Sequence, residues 1–80
     1  MAVRIVFLGP LRDAAGADER SVAGPLDWDG LVEALGPGLT WHLHSARVKL
    51  ALNGAVLADK EALAAQDGDE IALLPPVSGG

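Results

Sequence analysis

The residues with the clearest chemical potential form the C-terminal tail, which reads Pro75-Pro76-Val77-Ser78-Gly79-Gly80. The two prolines favour an extended polyproline II backbone, so the tail should leave a folded domain stiffly. At ~3.3 Å per residue it can span roughly 20 Å. Gly79 and Gly80 carry no β-carbon, and such a slim end fits a channel that is too narrow for other residues.

The terminal carboxylate of Gly80 is the candidate reacting group. A carboxylate is inert at rest, but activation with ATP as an acyl-adenylate turns its carbonyl carbon into an electrophile. Sulfide or a persulfide can then convert it into a thiocarboxylate. The chain contains no cysteine, so it has no thiol of its own to carry sulfur. The alternative is a frayed end whose glycines have no function, because chain termini are commonly disordered.

Length and charge exclude several classes of function. Eighty residues make one small domain, which buries about 60–65% of the surface that the unfolded chain exposes. The hydrophobic fraction of 50% is enough for a core, and it is mostly aliphatic. The net charge of −5 disfavours nucleic-acid binding, which needs clustered Lys and Arg. A basic protein surface is the more suitable partner for an acidic chain.

No part of the sequence indicates a membrane protein. No apolar run approaches the ~20 residues of a transmembrane helix. The first residues, Met1-Ala2-Val3-Arg4, do not begin a secretory signal. Since the absence of cysteine also suits a reducing compartment, we expect a soluble, cytoplasmic protein.

Apolar runs and turn residues predict the secondary structure. Strands are expected over residues 3–8, 18–22, 48–52, 55–57 and 70–74, and helices over 11–15 and 28–35. The first strand, with a single charge, is expected to be buried on most of both faces. Residues 39–46 are ambiguous between a loop and a helical turn, and residues 63–65 are expected to form a short helical turn.

The main helix and one hairpin have the strongest local signals. Asp27 is the predicted N-cap, Gly36 follows the last helical residue, and an apolar stripe begins at Trp28 with spacing i, i+3, i+4 and i+7. Asn53-Gly54 is the strongest hairpin signal.

The order of these elements predicts an α+β protein with the β-grasp fold, a mixed sheet of about five strands with one main helix on one face. A right-handed crossover through the helix would place the first and last strands side by side in the middle. We expect residues 1–74 to form this domain and residues 75–80 to form the extended tail.

The last strand predicts a contact surface. Ile71 and Leu73 point to one side, and Ala72 and Leu74 point to the other. One pair must face the core. If the other face is open, it forms an apolar patch at the base of the tail where a partner docks, and Leu74 and Ala72 are the predicted interface residues. The alternative is that both faces are covered.

Two histidines are weaker candidates for a site. His42 and His44 would share one face of a strand and could bind a metal. With no cysteine and no nearby pair of carboxylates, solvated loop histidines are favoured, and we predict no metal site.

Charged residues near the strands have ordinary explanations. Asp67, Asp69 and Glu70 resemble a calcium loop only superficially, because the spacing of an EF-hand is missing. An acidic turn, with a secondary role in meeting a basic surface, is favoured. Arg47 and Lys49 could pair with carboxylates of a partner, but a solvated strand face is the simpler interpretation.

The sequence resembles the small subunit of molybdopterin synthase, in the ThiS/MoaD group of ubiquitin-like sulfur carriers. The resemblance covers nearly the whole chain. It rests on the N-terminal strand with Leu11-Arg12-Asp13-Ala14-Ala15-Gly16, on Leu50-Ala51-Leu52-Asn53-Gly54, on Asp67-Gly68-Asp69-Glu70, and on the run Ile71-Ala72-Leu73-Leu74 into the tail.

The resemblance implies a cycle of three steps. An E1-like adenylyltransferase adenylates Gly80 with ATP and magnesium, and sulfur replaces AMP to leave a thiocarboxylate. The tail then enters the active site of the large synthase subunit and delivers sulfur to cyclic pyranopterin monophosphate. The family suggests a heterotetramer with two copies of each subunit. The catalytic side chains are expected on the large subunit, and no cofactor is bound permanently.

Other functions remain open. The same chemistry could serve thiamine, cysteine or tRNA thiolation, although Pro75-Pro76 and the long segment 37–47 favour the molybdopterin branch. A second class is a ubiquitin-like modifier that is joined through Gly80 to lysines of other proteins. A third is a β-grasp interaction module that uses no tail chemistry.

Overall fold

The structure is a computed structural model that describes residues 2–76. Its strands are β1 (Val3–Phe7), β2 (Glu19–Val22), β3 (Leu26–Asp27), β4 (Lys49–Leu52), β5 (Ala55–Val56), β6 (Ala64–Ala65) and β7 (Glu70–Leu74). Its α-helices are α1 (Pro10–Ala15), α2 (Trp28–Leu35) and α3 (Pro37–His44), and a 3-10 helix spans Lys60–Ala62.

Five strands form one mixed sheet in the order β2-β1-β7-β4-β5. β1 and β7 are parallel neighbours in the middle, whereas β2 and β4 flank them in antiparallel orientation. A parallel pair needs a long crossover connection, and the chain between β1 and β7 provides it together with the helices. This arrangement confirms the predicted α+β, β-grasp architecture and the central position of the first and last strands. A small second sheet pairs β3 with β6.

The hydrophobic core lies between one face of the large sheet and the helices. Ile5 and Phe7 of β1 pack in one cluster with residues of all three α-helices, among them Leu11, Leu31 and Leu43. Every buried residue of the described chain is hydrophobic. The helices therefore cover one face of the sheet and leave the other face without a helical layer.

Helix α2 matches its prediction at both ends. The Asp27 carboxylate accepts a hydrogen bond of 2.8 Å from the backbone N–H of Gly30, which satisfies a free donor of the first turn. Such a cap stabilises a helix by about 0.5–2 kcal/mol. Gly36 follows the helix with a φ angle of 75°, a backbone conformation that is strained for a residue with a β-carbon. Local sequence thus determines where this helix begins and ends.

Strand β1 differs from its prediction. Only one of its faces is buried, because Arg4 is exposed and Val6 is half-buried on the face that carries no helix. The apolar run had indicated burial on both faces. In the structure the face opposite the core is only partly covered by neighbouring side chains.

Two other segments also depart from expectation. The ambiguous residues 39–46 belong largely to α3, with Pro37 in its first turn and with Leu39 and Leu43 buried. Residues 63–65 do not form a helical turn, because Ala65 pairs with Leu26 in the β3–β6 sheet. Alanine favours helices locally, but this pairing overrides the local preference. Within residues 2–76, no helix is both long enough and apolar enough to cross a membrane.

Candidate functional site at the base of the tail

The tail begins at the end of the central strand β7. Leu73 lies between Phe7 of β1 and Leu50 of β4, and Leu74 lies opposite Lys49. The strand is thus paired on both sides almost to its last residue. The chain then continues into Pro75, which is half-buried. Because Pro cannot donate a backbone hydrogen bond, the ladder ends here and the tail root is held by a rigid element.

Gly9 lies directly beside the root of the tail. A β-carbon at this position would be 3.3 Å from Cγ of Pro75, closer than an ordinary contact. The φ angle of Gly9 is 56°, in the region that favours glycine. The turn after β1 and the root of the tail therefore approach each other at a residue without a side chain.

The two faces of β7 have different surroundings. Ile71 and Leu73 have no exposed surface and belong to the core. Ala72 and Leu74 are half-buried and lie on the face without helices. Of the two arrangements that the sequence left open, the structure has the open face.

The open face carries an unbroken apolar row across four strands. Val6 of β1 pairs with Ala72 of β7, Ala72 with Ala51 of β4, and Ala51 with Val56 of β5. Val56 is 59% exposed, whereas Ala51 is only 6% exposed. We call these four residues together with Leu74 the sheet patch. It reaches from the edge strand β5 to the root of the tail.

Charged side chains border the sheet patch. Arg4 forms an ion pair with Glu19 at 3.3 Å and a hydrogen-bonded ion pair with Glu70. The hydrogen bond to Glu70, followed by the charges of Glu70 and Glu19, raises the pKa of Arg4. Lys49 lies on the opposite side, next to Leu74. An apolar centre with a charged rim is the usual anatomy of a protein interface.

A hydrogen-bonded turn holds the start of β7. Asp69 accepts from the backbone N–H of Gln66 at 2.8 Å and from the side-chain amide of Asn53 at 3.1 Å. These bonds, the one from Gln66 first, lower the pKa of Asp69. The side chain of Asn53 also accepts from the backbone N–H of Glu70 at 2.9 Å. The predicted Asn53-Gly54 hairpin therefore supports the strand that leads to the tail.

Comparison with known proteins identifies the family. The profile of the ThiS family matches residues 5–80, which is almost the whole sequence and includes the tail. This chain belongs to the ThiS family. The small proteins of the ThiS/MoaD group are sulfur carriers or ubiquitin-like modifiers. No curated protein sequence matches the chain significantly.

Solved structures support the membership of this ThiS-family chain. It is similar to small archaeal modifier protein 1 from Methanosarcina acetivorans, with 26% identity and a TM-score of 0.80 over 99% of this chain and 96% of that one. The crystal structure of small archaeal modifier protein 1 from Haloferax volcanii has 30% identity and a TM-score of 0.72 over 100% of both chains. A complex of subunits 1 and 2 of the molybdopterin-converting factor from Helicobacter pylori contains a chain with 29% identity and a TM-score of 0.68, again over 100% of both.

The histidines of this ThiS-family chain do not share a face. His42 and His44 lie in α3 and not in a strand, so the predicted geometry is wrong; two positions on a helix are about 200° apart. The ring of His44 lies 5.7 Å from that of Trp28, and the ring of His42 lies 6.1 Å from that of Trp41. Among residues 2–76, no group of three potential metal ligands comes together.

The structure brings some predicted residues together and leaves others apart. Val77, Ser78, Gly79 and Gly80 lie outside the described residues, so the predicted reacting end of this ThiS-family chain stays a prediction. Ala72 and Leu74 lie together on the open face. The rest of the patch, Val6, Ala51 and Val56, was missed because its members come from three other strands. The alternation of core and surface positions in β1 is a signal that could have found Val6.

Proposed function

We propose that this chain is the sulfur-carrying small subunit of a molybdopterin synthase, acting in molybdenum cofactor biosynthesis. The observation that carries the proposal is the ThiS-family match, which continues through Gly80. The tail follows directly from a central strand that is paired on both sides. Such an anchor holds the root of the tail at a constant position on the domain, which supports the delivery of the tail to a partner.

The proposed chemistry takes place at the carboxylate of Gly80. One carboxylate oxygen attacks the α-phosphorus of ATP on an E1-like adenylyltransferase, with magnesium, and pyrophosphate leaves. Hydrosulfide then attacks the carbonyl carbon of the acyl-adenylate. The C–O bond to AMP breaks, AMP leaves, and a thiocarboxylate remains. The thiocarboxylate delivers its sulfur to cyclic pyranopterin monophosphate. The chain contributes no catalytic side chain to this scheme, as is general for the small carriers of its family.

The large synthase subunit is the proposed partner in the transfer step. The similarity to the Helicobacter pylori complex of subunits 1 and 2 supports this choice. The tail, Pro75 to Gly80, would enter the active site of that subunit, while the sheet patch with Ala72 and Leu74 packs on its surface. A heterotetramer with two copies of each subunit is the proposed assembly.

Intact-mass analysis tests the proposal. The purified chain is incubated with the adenylating enzyme, ATP, magnesium and sulfide. The expected result is a mass gain equal to the difference between one sulfur and one oxygen atom. No gain, with an adenylating enzyme that is active on another carrier, would sink the proposal.

A variant with one alanine added after Gly80 is the matched control. It keeps every residue of the domain but displaces the carboxylate by one position. We expect unchanged circular dichroism and no mass gain. If the extended chain acquired sulfur as fast as the original, the position of the terminus would be irrelevant and the proposed mechanism wrong.

A second function, as a ubiquitin-like modifier, is favoured by a separate observation. Two of the three similar structures described above are small archaeal modifier proteins, and one of them has the TM-score of 0.80. In that function, the nucleophile that attacks the Gly80 adenylate would be a lysine amine of another protein, in place of sulfide. Trypsin cleaves after Lys and Arg, and Lys60 is the last such residue of the chain, so a conjugated lysine would carry residues 61–80 through an isopeptide bond. Such branched peptides, found by mass spectrometry of cell extracts, would support this function. Their absence, together with sulfur loading, would favour the carrier.

A further inference from the structure

Trp41 is exposed although neighbouring residues of its helix are buried. Leu39 and Leu43 attach α3 to the core, whereas Trp41 is 73% exposed. It is the most exposed large hydrophobic side chain in residues 2–76. A packed Trp side chain buries about 150–250 Å² of surface, and an exposed one lacks most of this stabilisation. Because α3 is held by its leucines, the fold does not require a tryptophan at this position.

Trp41 lines a groove beside the root of the tail. The groove has a volume of about 330 Å³, and its apolar wall consists of Trp41, Pro10, Leu11, Val48, Pro75 and Pro76. We call it the Trp41 groove. Pockets for small ligands begin at about 300 Å³, so a large side chain has room here. The groove includes residues of α1 and α3, which cover the core face of the sheet. It therefore lies on the other side of the tail root from the sheet patch.

The charge of the groove differs from that of the whole chain. His42 and Arg47 line it beside the apolar residues. Residues 2–76 contain all eleven acidic side chains of the sequence, and none of them lines the groove. Among the described residues that line the groove, Arg47 is the one charged side chain. An apolar recess with this positive charge, in a chain with a net charge of −5, is complementary to an apolar side chain that is flanked by a carboxylate.

The position of the groove indicates which protein fills it. A fully extended segment of six residues, the length of the tail, can span roughly 20 Å at ~3.3 Å per residue. A partner that encloses the tail down to Gly80 must meet the domain around the whole root of the tail. One side of that root is the sheet patch, and the other is the Trp41 groove. One partner protein whose channel encloses the tail would therefore contact both the sheet patch and the Trp41 groove.

We propose that the Trp41 groove is a second docking site, which takes an apolar side chain flanked by a carboxylate from the large synthase subunit. The inference rests on the proposed function and adds to it a contact on the helix side of the tail. Trp41 supplies the apolar contact, and Arg47 pairs with the carboxylate. Since Pro75 and Pro76 form one wall, the bound side chain also touches the root of the tail.

Fluorine NMR tests this contact directly. The chain contains two tryptophans, and both are replaced by fluorotryptophan. Trp41→Phe assigns the two signals. On titration with the unlabelled large subunit, the Trp41 signal is expected to shift strongly. The signal of Trp28, which is only 9% exposed, serves as an internal reference for a change in the fold.

Substitutions measure the contribution of the groove to affinity. Trp41→Ala is expected to weaken binding to the large subunit by about 30-fold, the effect of removing a hot-spot residue from an interface. Arg47→Glu should weaken it by about tenfold, and Arg47→Lys should restore most of the loss. His44→Ala is the matched control, because His44 is exposed on the same helix but does not line the groove. All four variants should still acquire sulfur at Gly80.

The outcomes separate this inference from the proposed function. Equal affinity of Trp41→Ala and the original chain, with an unshifted Trp41 signal, overturns the docking site alone. Slower sulfur loading in Trp41→Ala with unchanged binding to the large subunit also overturns it, since the adenylating enzyme would then occupy the groove. If the original chain never acquires sulfur, the proposed function fails, and the inference fails with it.

Discussion

The two faces of β7 differ in their surroundings: one face packs in the core, and the other lies on the open side of the sheet. On one face, Ile71 and Leu73 lie in the core without any exposed surface. On the other face, Ala72 and Leu74 remain half-buried beside a charged rim. Side chains alternate along a strand, so neighbouring residues belong to surfaces with different functions. Substitutions one residue apart should therefore change stability and partner binding separately.

The largest expected effect follows from truncation of the core face. Leu73→Ala should lower the free energy of unfolding by about 2–5 kcal/mol, because it removes buried surface and leaves a cavity. Leu74→Ala should lower it by less than about 1 kcal/mol, since its side chain keeps contact with water. Denaturant unfolding of both variants measures the comparison.

A milder variant covers the case in which Leu73→Ala does not fold. Ile71→Val removes one methylene from the same face and should lower the free energy of unfolding by about 0.5–1.5 kcal/mol. Equal losses for Leu73→Ala and Leu74→Ala would contradict the division between the two faces.

The second prediction concerns binding by the open face. Ala72→Glu puts a charge into the middle of the apolar row, next to Val6 and Ala51. Its affinity for the large subunit is expected to fall by about tenfold or more, because an unpaired charge would be buried in the interface. Isothermal titration calorimetry gives the dissociation constant.

Ser21→Glu is the matched control for the new charge. Ser21 lies on the same face as Arg4, in the edge strand β2, but outside the sheet patch. It should bind the large subunit like the original chain. If both variants, or neither, lost affinity, the sheet patch would not be the contact surface.

The third prediction concerns pH, through the turn that starts β7. The folded chain lowers the pKa of Asp69. Its contribution to stability is therefore present above the pKa of the unfolded chain, about 3.9, and is lost as the pH falls through the lower folded value. Asp69→Asn should reduce the Tm at neutral pH and make the Tm less dependent on acid. The backbone N–H of Gln66 and the amide of Asn53 bind different oxygens of Asp69, and the NH2 group that replaces one of these oxygens cannot accept a hydrogen bond.

Glu33→Gln is the control, since this exposed residue of α2 lies far along the chain from the turn. Its Tm should follow that of the original chain over pH 7 to about 2. Asp69→Asn with the same acid profile as the original chain would show that the turn network does not stabilise the start of β7.

The smallest effect is expected at the charged rim. Arg4→Gln removes an exposed ion-pair network, which contributes little to stability in water. Tm should hardly change, but the salt dependence of binding to the large subunit should become weaker. A large fall in Tm would mean that the open face also carries part of the fold.

Local signals predicted several elements well. α2 was predicted with both boundaries, because its N-cap, apolar stripe and final glycine all lie within ten residues. β7 was predicted for the same kind of reason, since Pro75 ends it. α3 was left ambiguous because its buried residues, Leu39 and Leu43, form only a short stripe. The strand pairing of Ala65 with Leu26 was missed because no local preference encodes a partner so far along the chain.

Three features follow from local sequence alone: the composition of the tail, the Asn53-Gly54 hairpin and the alternation of β7. These features depend on backbone preferences of single residues and on the two-residue period of a strand. Which face of β7 is open depends on the packing of the whole domain. The same packing continues that face as one row through Val6, Ala51 and Val56. It also brought Trp41 beside Pro75 and Pro76. Such neighbours arise from strand register and helix packing between distant segments, which the whole core sets and no local pattern contains.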